Sequence, residues 1–367
     1  MPAKLFIVRP TLGEGGADRV TLTLLRELPR ERFDLTLVLV RKEGVLLPEV
    51  PPDVTIRCLE ARSLWTAWLR LTLLVRAHRP DILFSTSGGA NMIAAIAHLL
   101  TGINGRLVLS ERNALRSGIS WKKRLQRWLK RALYPSADRI TTVSRGLKQE
   151  LVQELGLPAG SISVIYNPIV EPRLEAQAAE PVSHPWFVEG PQTGAEVILA
   201  VGRLVPEKDF ATLLRAFTEV RRTHDARLLI LGEGPCRGEL KELAATLGVP
   251  DEVALPGYDP NPFRYMSRCG IFVLSSRFEG LPGALIQAMA CGAPVISTDC
   301  PYGPAEILER PGSGILIPVG DSGALAAAIR KLLDDPGRRQ RMAAEARVAA
   351  ERFSVERVIS NYIEVLT

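Results

Sequence analysis

The sequence predicts an α/β protein of two domains, each built on a parallel sheet, and three observations predict it. The chain has 367 residues, more than one hydrophobic core usually serves. Short apolar runs that read as buried strands alternate with longer segments of helical apolar spacing, the order of a parallel sheet covered on both faces. The alternation breaks once, over PIVEPRLEAQAAEPVSHPWFVEGPQTGA (168–195), where prolines, glycines and glutamates cluster without periodicity, and then resumes.

In the first series, residues 4–9 read as a strand. Thr11, Leu12, Gly13, Glu14, Gly15 and Gly16 follow, then a helix with Val20, Leu24, Leu25 and Leu28 as its apolar positions. A glycine-rich turn of this kind lets backbone approach a phosphate, and it equally makes a plain tight turn. It is not G-x-G-x-x-G, and no acidic residue follows at dinucleotide spacing, so a nicotinamide cofactor is not indicated. Further strands are expected at 33–40, 54–58, 81–85, 106–110, 139–143 and 162–166, with helices at 64–77, 91–100, 122–133 and 146–155. Loops after these strands carry Ser85-Thr86-Ser87-Gly88-Gly89, Ser110-Glu111-Arg112-Asn113, Ser144-Arg145 and Asn167. Polar groups at strand carboxyl ends are candidate ligand contacts, and the same residue types cap helices.

The second series opens with a strand at 196–201 that ends in Gly202-Arg203-Leu204-Val205-Pro206-Glu207-Lys208-Asp209, with Asp209 as N-cap of a helix at 210–221. A strand at 227–231 ends in Gly232-Glu233-Gly234-Pro235, and one at 253–256 in Gly257-Tyr258-Asp259. The clearest unit is SSRFEGLPGALIQAMACGAPVISTDC (275–300). A strand at 271–274 precedes it; Leu281, Leu285 and Met289 have helical spacing; Cys291-Gly292 stops the helix; a strand at 294–298 follows. The free N–H groups and dipole of that helix favour an anion. Glu279 cannot bind an anion, so it either caps the helix or reaches other groups of the same ligand, such as sugar hydroxyls. Arg203 and Lys208, five residues apart around one turn, suit a diphosphate, Arg by forked hydrogen bonds and Lys as a point charge. Helices at 325–333, 339–352 and 355–366 close the chain.

With 46% hydrophobic and 23% charged residues the chain is globular rather than disordered. Five scattered cysteines (Cys58, Cys236, Cys269, Cys291, Cys300) form no C-x-x-C pair, which points to reduced thiols in a cytosolic setting and away from a disulfide frame or zinc site. The four histidines (His78, His98, His184, His224) show no metal-ligand spacing. The first residues read as strand and loop rather than a signal peptide, and no apolar run approaches the roughly 20 residues that span a bilayer. A formal charge of +6 and a pI near 9.2 fit an anionic substrate or membrane surface. No zinc-finger, RNP or KH signature supports nucleic acid.

The segment SWKKRLQRWLKRALY (120–134) sets Trp121, Leu125, Trp128, Leu129 and Leu133 at helical spacing among Lys122, Lys123, Arg124, Arg127, Lys130 and Arg131. A basic amphipathic helix with tryptophans suits the headgroup region of an anionic membrane; an ordinary surface helix with its apolar stripe on the sheet is the plainer reading. The helix near Leu64, with Trp65, Trp68 and Arg70, extends the same expectation.

GRLVPEKD, LGEGP, LPGY, SSRFEGLPGALIQAMACGAPVISTDC and the early EGGADRV resemble the family-4 retaining glycosyltransferases (glycosyl transferases group 1), over essentially the whole chain and in the family's order. The resemblance implies the GT-B fold, two Rossmann-like domains with parallel sheets facing a central cleft. The expected divisions are 1–168 on the acceptor side, a linker at 169–195, a nucleotide-sugar domain at 196–350, and a C-terminal helix at 351–367 crossing back to the first domain. It implies that Arg203 and Lys208 hold the diphosphate and Glu279 the donor sugar. Gly15 and Gly16 should lie by the phosphates and Tyr258 near the base, with Gly202, Glu233, Gly280, Leu281, Pro282 and Gln287 completing the donor site. Two positions depart from the family pattern. Gln287 stands where a second glutamate is usual, so a ribose contact is made by an amide without charge. Glu111-Arg112-Asn113 stands where many relatives carry a histidine, which leaves Glu111 or Asn113 as donor-sugar contacts.

The expected activity is metal-independent, retaining transfer of a hexosyl or N-acetylhexosaminyl group from a nucleotide-diphosphate sugar, UDP favoured over GDP. The expected acceptor is a hydroxyl of a lipid-linked or polysaccharide intermediate of the bacterial envelope. No cofactor is expected, and no D-x-D occurs to hold a metal. The expected place is the cytoplasm, peripheral on the inner face of the membrane through Trp121, Lys122, Lys123, Arg124, Arg127, Trp128, Lys130 and Arg131. A sugar-nucleotide epimerase of the same architecture is the rival enzyme; a non-catalytic membrane or nucleic-acid binder leaves Glu279 and Arg203 without a role.

Overall fold

The structure is a computed structural model that describes residues 1–13, 15–112, 115, 121–188 and 195–367, with the side chains of residues 64, 65, 122 and 123 excepted. It divides into two compact units, Met1–Pro168 with Val355–Thr367, and Ile169–Ser354.

The first unit runs β1 (Ala3–Arg9), α1 (Gly16–Glu27), β2 (Phe33–Leu39), β3 (Thr55–Cys58), α2 (Leu64–His78), β4 (Ile82–Ser85), α3 (Gly88–Thr101), β5 (Arg106–Glu111), α4 (Trp121–Leu133), β6 (Arg139–Thr142), α5 (Arg145–Leu155) and β7 (Ile162–Val164). Its strands form one parallel sheet in the order β3-β2-β1-β4-β5-β6-β7. Successive side chains of a strand point to opposite faces. In β1, Leu5 and Ile7 join the core under α1, while Phe6 and Val8 join the core under α2 and α3. Both faces are covered, which is why the strand is apolar from Leu5 to Val8.

The second unit runs α6 (Leu174–Ala179), α7 (Pro185–Val188), β8 (Glu196–Val201), α8 (Phe210–Arg221), β9 (Ala226–Leu231), α9 (Arg237–Thr246), β10 (Val253–Gly257), α10 (Phe263–Met266), β11 (Ile271–Leu274), α11 (Gly283–Ala290), β12 (Val295–Thr298), α12 (Pro304–Ile307), β13 (Ile315–Ile317), α13 (Ser322–Leu333) and α14 (Pro336–Ala350). Its parallel sheet has the order β10-β9-β8-β11-β12-β13. The final helix α15 (Val355–Leu366) belongs to the first unit, where Val355, Val358, Ile359, Tyr362 and Leu366 form one buried stripe.

Strand order reverses between β1 and β4 in the first sheet and between β8 and β11 in the second. Loops at the carboxyl ends of such neighbouring strands diverge to opposite faces and leave room for a ligand.

Two expectations need correction. Residues 169–195, read as a linker, belong to the second unit as far as they are described; 189–194 lie outside the described residues. Asn261 donates to the Gln177 carbonyl and to Glu180 Oε2, each at 2.9 Å, and Arg268 donates to the Ala178 carbonyl at 2.8 Å. Phe187 meets Tyr265 edge-on with centroids 5.5 Å apart, and the Arg227 guanidinium lies 5.2 Å from the Trp186 ring. Linker-like composition concealed partners some 80 to 90 residues away in sequence. Second, Glu351–Phe353, placed with the C-terminal helix, stays with the second unit. Strand β13 and helix α9 were not anticipated. Three residues are too few to show a strand's period, and the buried positions in α9 are only Leu240 and Ala244.

Candidate active site

Within the second unit, the loops after β8 and β11 meet at the reversal point. The turn 206–208 ends at Asp209, which adopts a left-handed φ of 46° and caps α8 through Thr212. This turn is tied to the β11 loop by three hydrogen bonds. The Arg277 N–H donates to the Glu207 carbonyl at 2.8 Å, Ser275 Oγ to the Lys208 carbonyl at 2.8 Å, and Arg277 Nε to Asp209 Oδ2 at 2.9 Å. So held, Lys208 Nζ lies 2.5 Å from Glu279 Oε1, and Ser276 Oγ donates to the same oxygen at 2.7 Å. The lysine and glutamate side chains are 23% and 12% exposed. The lysine stem runs beside Gly202, where a Cβ would stand 3.4 Å from Lys208 Cε.

Helix α11 starts just beyond, with Pro282 at the N-cap and no side-chain cap. Glu279 is therefore engaged with Lys208 and Ser276, and the capping reading is set aside. Leu285 and Met289 are fully buried and anchor the helix, while Gln287 is half-buried. Gly303, at φ 92°, lets the next loop close on Pro282; a Cβ would stand 2.7 Å from its Cδ. Burial pushes the neighbouring Cys300 thiol up to about 12, and the Glu279 charge pushes in the same direction.

The glycine loops pack against this turn. Gly232 has φ 145°, and a Cβ there would meet the Gly202 carbonyl oxygen at 1.9 Å. The Leu204 N–H donates to the Glu233 carbonyl at 2.8 Å. The Glu233 carboxylate pairs with Arg237 at 2.6 Å. Arg203 and Tyr258 are exposed, the tyrosine to 67%. Arg203, Lys208, Gly202, Glu233, Tyr258, Glu279, Gly280, Leu281, Pro282 and Gln287 all lie on, or in the first turn and a half after, strand-end loops of one sheet edge.

In the first unit, Gly15 is the N-cap of α1 and Gly16 its first residue; a Cβ on Gly16 would meet nothing within 4 Å. The Gly15 N–H donates to Asp18 Oδ2 at 3.2 Å, and Asp18 pairs with Arg9 at the end of β1. Arg9 also donates to Thr86 after β4. Burial pulls the Arg9 guanidinium below its usual value, against the opposing effect of Asp18.

Glu111 is fully buried, at the end of β5. Its Oε2 accepts from Lys130 Nζ at 2.5 Å and from the Tyr134 hydroxyl at 2.6 Å. It offers no solvent-facing carboxylate in this structure. Asn113 lies outside the described residues.

The basic helix α4 also needs correction. Lys130, only 8% exposed, turns inward, as does Tyr134 just past the helix end, and half-buried Arg127 pairs with Glu154 at 2.8 Å. Neither Lys130 nor Arg127 points to a membrane. Trp121, Leu125 and Trp128 face outward at 69%, 43% and 64% exposure, and Arg124 and Arg131 are exposed beside them. The side chains of Lys122 and Lys123 lie outside the described residues. In α2, Trp68 packs on the core and Arg70 donates to the Leu59 and Glu60 carbonyls. Among the described residues no helix is long and apolar enough to cross a membrane, and no group of three or more His, Cys, Asp or Glu is placed to hold a metal ion.

Residues missed by sequence reasoning are Ser276, Arg277, Arg9 and Asp18. Arg9, Ser276 and Arg277 share one signal, a polar side chain within a few residues of the carboxyl end of a strand at the reversal point; Asp18 lies in the first turn of α1 instead.

Residues 187–349 match the family described as Glycosyl transferases group 1, and residues 15–168 the family described as Glycosyl transferase 4-like domain. Over 99% of each chain the sequence is 29% identical to the N-acetylgalactosamine-N,N'-diacetylbacillosaminyl-diphospho-undecaprenol 4-alpha-N-acetylgalactosaminyltransferase of Campylobacter jejuni. It is 26% identical, over 96% of each chain, to the lipopolysaccharide core biosynthesis glycosyltransferase LpsE of Rhizobium meliloti. Among solved structures, Anabaena HepE in complex with UDP superposes with a TM-score of 0.82 over 99% of each chain at 21% identity. A glycosyltransferase from Rickettsia africae gives 0.84, over 100% of this chain and 98% of its own, at 17%. With its two halves matched in order by the two family descriptions and its two parallel sheets shared with these neighbours, the chain belongs to the group 1 glycosyltransferases of the GT-B fold.

Proposed function

We propose that the protein transfers a hexosyl or N-acetylhexosaminyl group from a nucleotide-diphosphate sugar, UDP as carrier, to a hydroxyl of a lipid-linked envelope glycan, with retention at the anomeric carbon. The observation that carries this reading is the meeting of Lys208 and Glu279 beside the uncapped start of α11, at the point where strand order reverses. A cation and free helix N–H groups suit a diphosphate, and a carboxylate suits sugar hydroxyls. HepE was crystallised with UDP, and the Campylobacter jejuni relative is named for a diphospho-undecaprenol acceptor.

In this reading Arg203 and Lys208 hold the diphosphate and Glu279 the sugar. Tyr258 and Glu233 lie towards the base and Gln287 towards the ribose, with Gly202, Gly280, Leu281 and Pro282 shaping the backbone between them. Gly15 and Gly16 are phosphate contacts by family likeness alone; a Cβ on Gly16 would meet nothing within 4 Å, while the Gly15 amide is bound to Asp18. As the bond from anomeric carbon to diphosphate oxygen breaks, its electron pair stays on the leaving oxygen, which the cations and N–H groups stabilise. The acceptor oxygen attacks from the same face, and its proton passes to the departing diphosphate. Cationic side chains supply the charge that a metal supplies elsewhere. The outer face of α4, with Trp121, Arg124, Leu125, Trp128 and Arg131, rests on the inner leaflet of the cell membrane, where a lipid-linked acceptor is held.

The deciding experiment incubates the protein with UDP-sugars, with and without lipid-linked acceptor, and analyses both UDP and sugar products. Acceptor-dependent UDP release and an α-linked product from an α-linked donor are expected. A second UDP-sugar formed without acceptor would indicate epimerisation instead, and no turnover of any UDP-sugar would remove the assignment of the carrier.

A further inference from the structure

Helix α4 departs from an ordinary surface helix, whose apolar stripe faces the core. Leu133 packs on the core, but Trp121, Leu125 and Trp128 are exposed, and Lys130 with Tyr134 just past the helix end enters a buried polar network. Lys130 Nζ and the Tyr134 hydroxyl both donate to Glu111 Oε2. Asn91 of α3 donates to the Tyr134 hydroxyl and to the Ser110 carbonyl, each at 3.0 Å, and accepts from Ser85 at the end of β4. Burial and the adjacent Glu111 charge push the Tyr134 hydroxyl well above its usual value, so it stays a donor. Gly88, the first residue of α3, leaves room for the pair. A Cβ there would stand 3.0 Å from Lys130 Nζ and 3.4 Å from both Glu111 carboxylate oxygens.

We propose that Lys130 is a positioning residue that couples lipid on the outer face of α4 to the end of β5. Seating Trp121, Leu125 and Trp128 in an anionic bilayer fixes the tilt and depth of α4, and the Lys130–Glu111 pair carries that setting to Glu111 and the adjoining Arg112. The inference rests on the membrane contact proposed above for α4. Apolar residues of similar volume would hold a helix to a sheet as well as this buried pair does. What the pair adds is one register, since a helix shifted by a turn would leave a buried carboxylate without its cation. The setting extends further within the same unit. Arg112 donates to Asn167 Oδ1 at 2.8 Å and to the Tyr362 hydroxyl of α15 at 2.9 Å. The end of β5 is thus joined to α4 on one side and to α15 on the other.

The test is hydrogen–deuterium exchange on the full chain, with and without vesicles of phosphatidylglycerol and phosphatidylcholine. In the unmodified protein vesicles are expected to protect 121–134 and to slow exchange at 106–112 by about fivefold or more, the lower end of ordinary coupling between sites. Lys130→Met is expected to keep the protection over 121–134 and lose the slowing at 106–112, and Lys130→Arg to restore it. Tyr134→Phe deletes one hydroxyl from Glu111 and serves if Lys130→Met does not fold; it is expected to weaken the slowing while α4 stays protected. Protection of α4 with no change at 106–112, or the same change in Lys130→Met or Tyr134→Phe, overturns the coupling and leaves the membrane contact standing. Absence of protection over 121–134 in the unmodified protein overturns both.

Discussion

Lys208 and Glu279 meet at 2.5 Å although 71 residues separate them. The contact exists because β8 and β11 are hydrogen-bonded neighbours, with Ile198 beside Ile271 and Leu199 beside Phe272, so their exit loops emerge side by side. The ammonium and carboxylate pair with each other, and in the proposed site Lys208 would face the diphosphate and Glu279 the sugar hydroxyls. Lys208→Ala and Glu279→Ala are each expected to lower UDP-sugar turnover by about 100-fold or more, the loss typical of removing a preorganised charge. The double variant is expected to lose less than the product of the two, because partners in contact are not additive. Steady-state UDP release read beside thermal melts checks this; a fully multiplicative loss would mean the two act independently.

Arg203 is exposed, so its removal should spare the fold, and in the proposed site it would remove a diphosphate contact. Arg203→Ala is expected to reduce kcat/KM by at least about tenfold while stability stays within about 0.5 kcal/mol, the usual range for a surface substitution. Arg203→Lys is expected to recover only part of the activity, since an ammonium lacks the guanidinium fork. Kinetics of the three proteins with one donor decide the matter.

Asp209 has a structural duty that its neighbours expose. It is 5% exposed, holds a left-handed backbone, caps Thr212 and pairs with Arg277. Asp209→Ala is expected to cost about 0.5–2 kcal/mol in urea unfolding, the range for losing an N-cap. Arg277→Ala, whose side chain is 62% exposed, is expected to cost under about 1 kcal/mol.

The outer and inner faces of α4 should separate cleanly in lipid binding. Trp128→Gln is expected to weaken sedimentation with anionic vesicles by about tenfold or more, from about 1.5–3 kcal/mol of lost apolar burial. Arg124→Gln with Arg131→Gln is expected to weaken it by about 1 kcal/mol for each charge, with a smaller dependence on salt. Equal vesicle binding by all variants would contradict a membrane role for this face.

Thiol reactivity should report burial. Cys269, Cys291 and Cys300 are buried, and burial pushes Cys291 and Cys300 up to about 12 and Cys269 higher still. Cys58 and Cys236 are half-buried. At pH 8 an aromatic disulfide reagent is expected to label the latter two first and all five after denaturation. A thiol whose folded value is raised stabilises the fold fully below its unfolded value and loses that contribution as pH rises. Stability is therefore expected to decline from about pH 8.5 towards the folded values near 12.

The alternation of apolar runs and amphipathic helices was legible because period and length are properties of neighbouring residues. The runs at 33–39 and 271–274 are buried along nearly their whole length, and α8 spans the expected 210–221. Glycine positions were legible for the same reason: Gly232 sits where its backbone must pass the Gly202 carbonyl. Residues 169–188 misled, because what holds them is supplied by Arg227, Asn261, Tyr265 and Arg268 from distant segments. Helix α4 misled in another way. Its periodicity was plain, but period says only that a helix has two faces, and not which one the protein takes.

The amino-acid sequence by itself determined two parallel α/β units, the glycine turns, and the residue types that a sugar diphosphate calls for. Tertiary structure alone decided the partners. It set Lys208 against Glu279, turned Lys130 inward to Glu111 and left the tryptophans of α4 outside. The physical reason is that propensity and periodicity act over a few residues, whereas a buried charge is placed by whichever opposite charge the sheet order brings within reach.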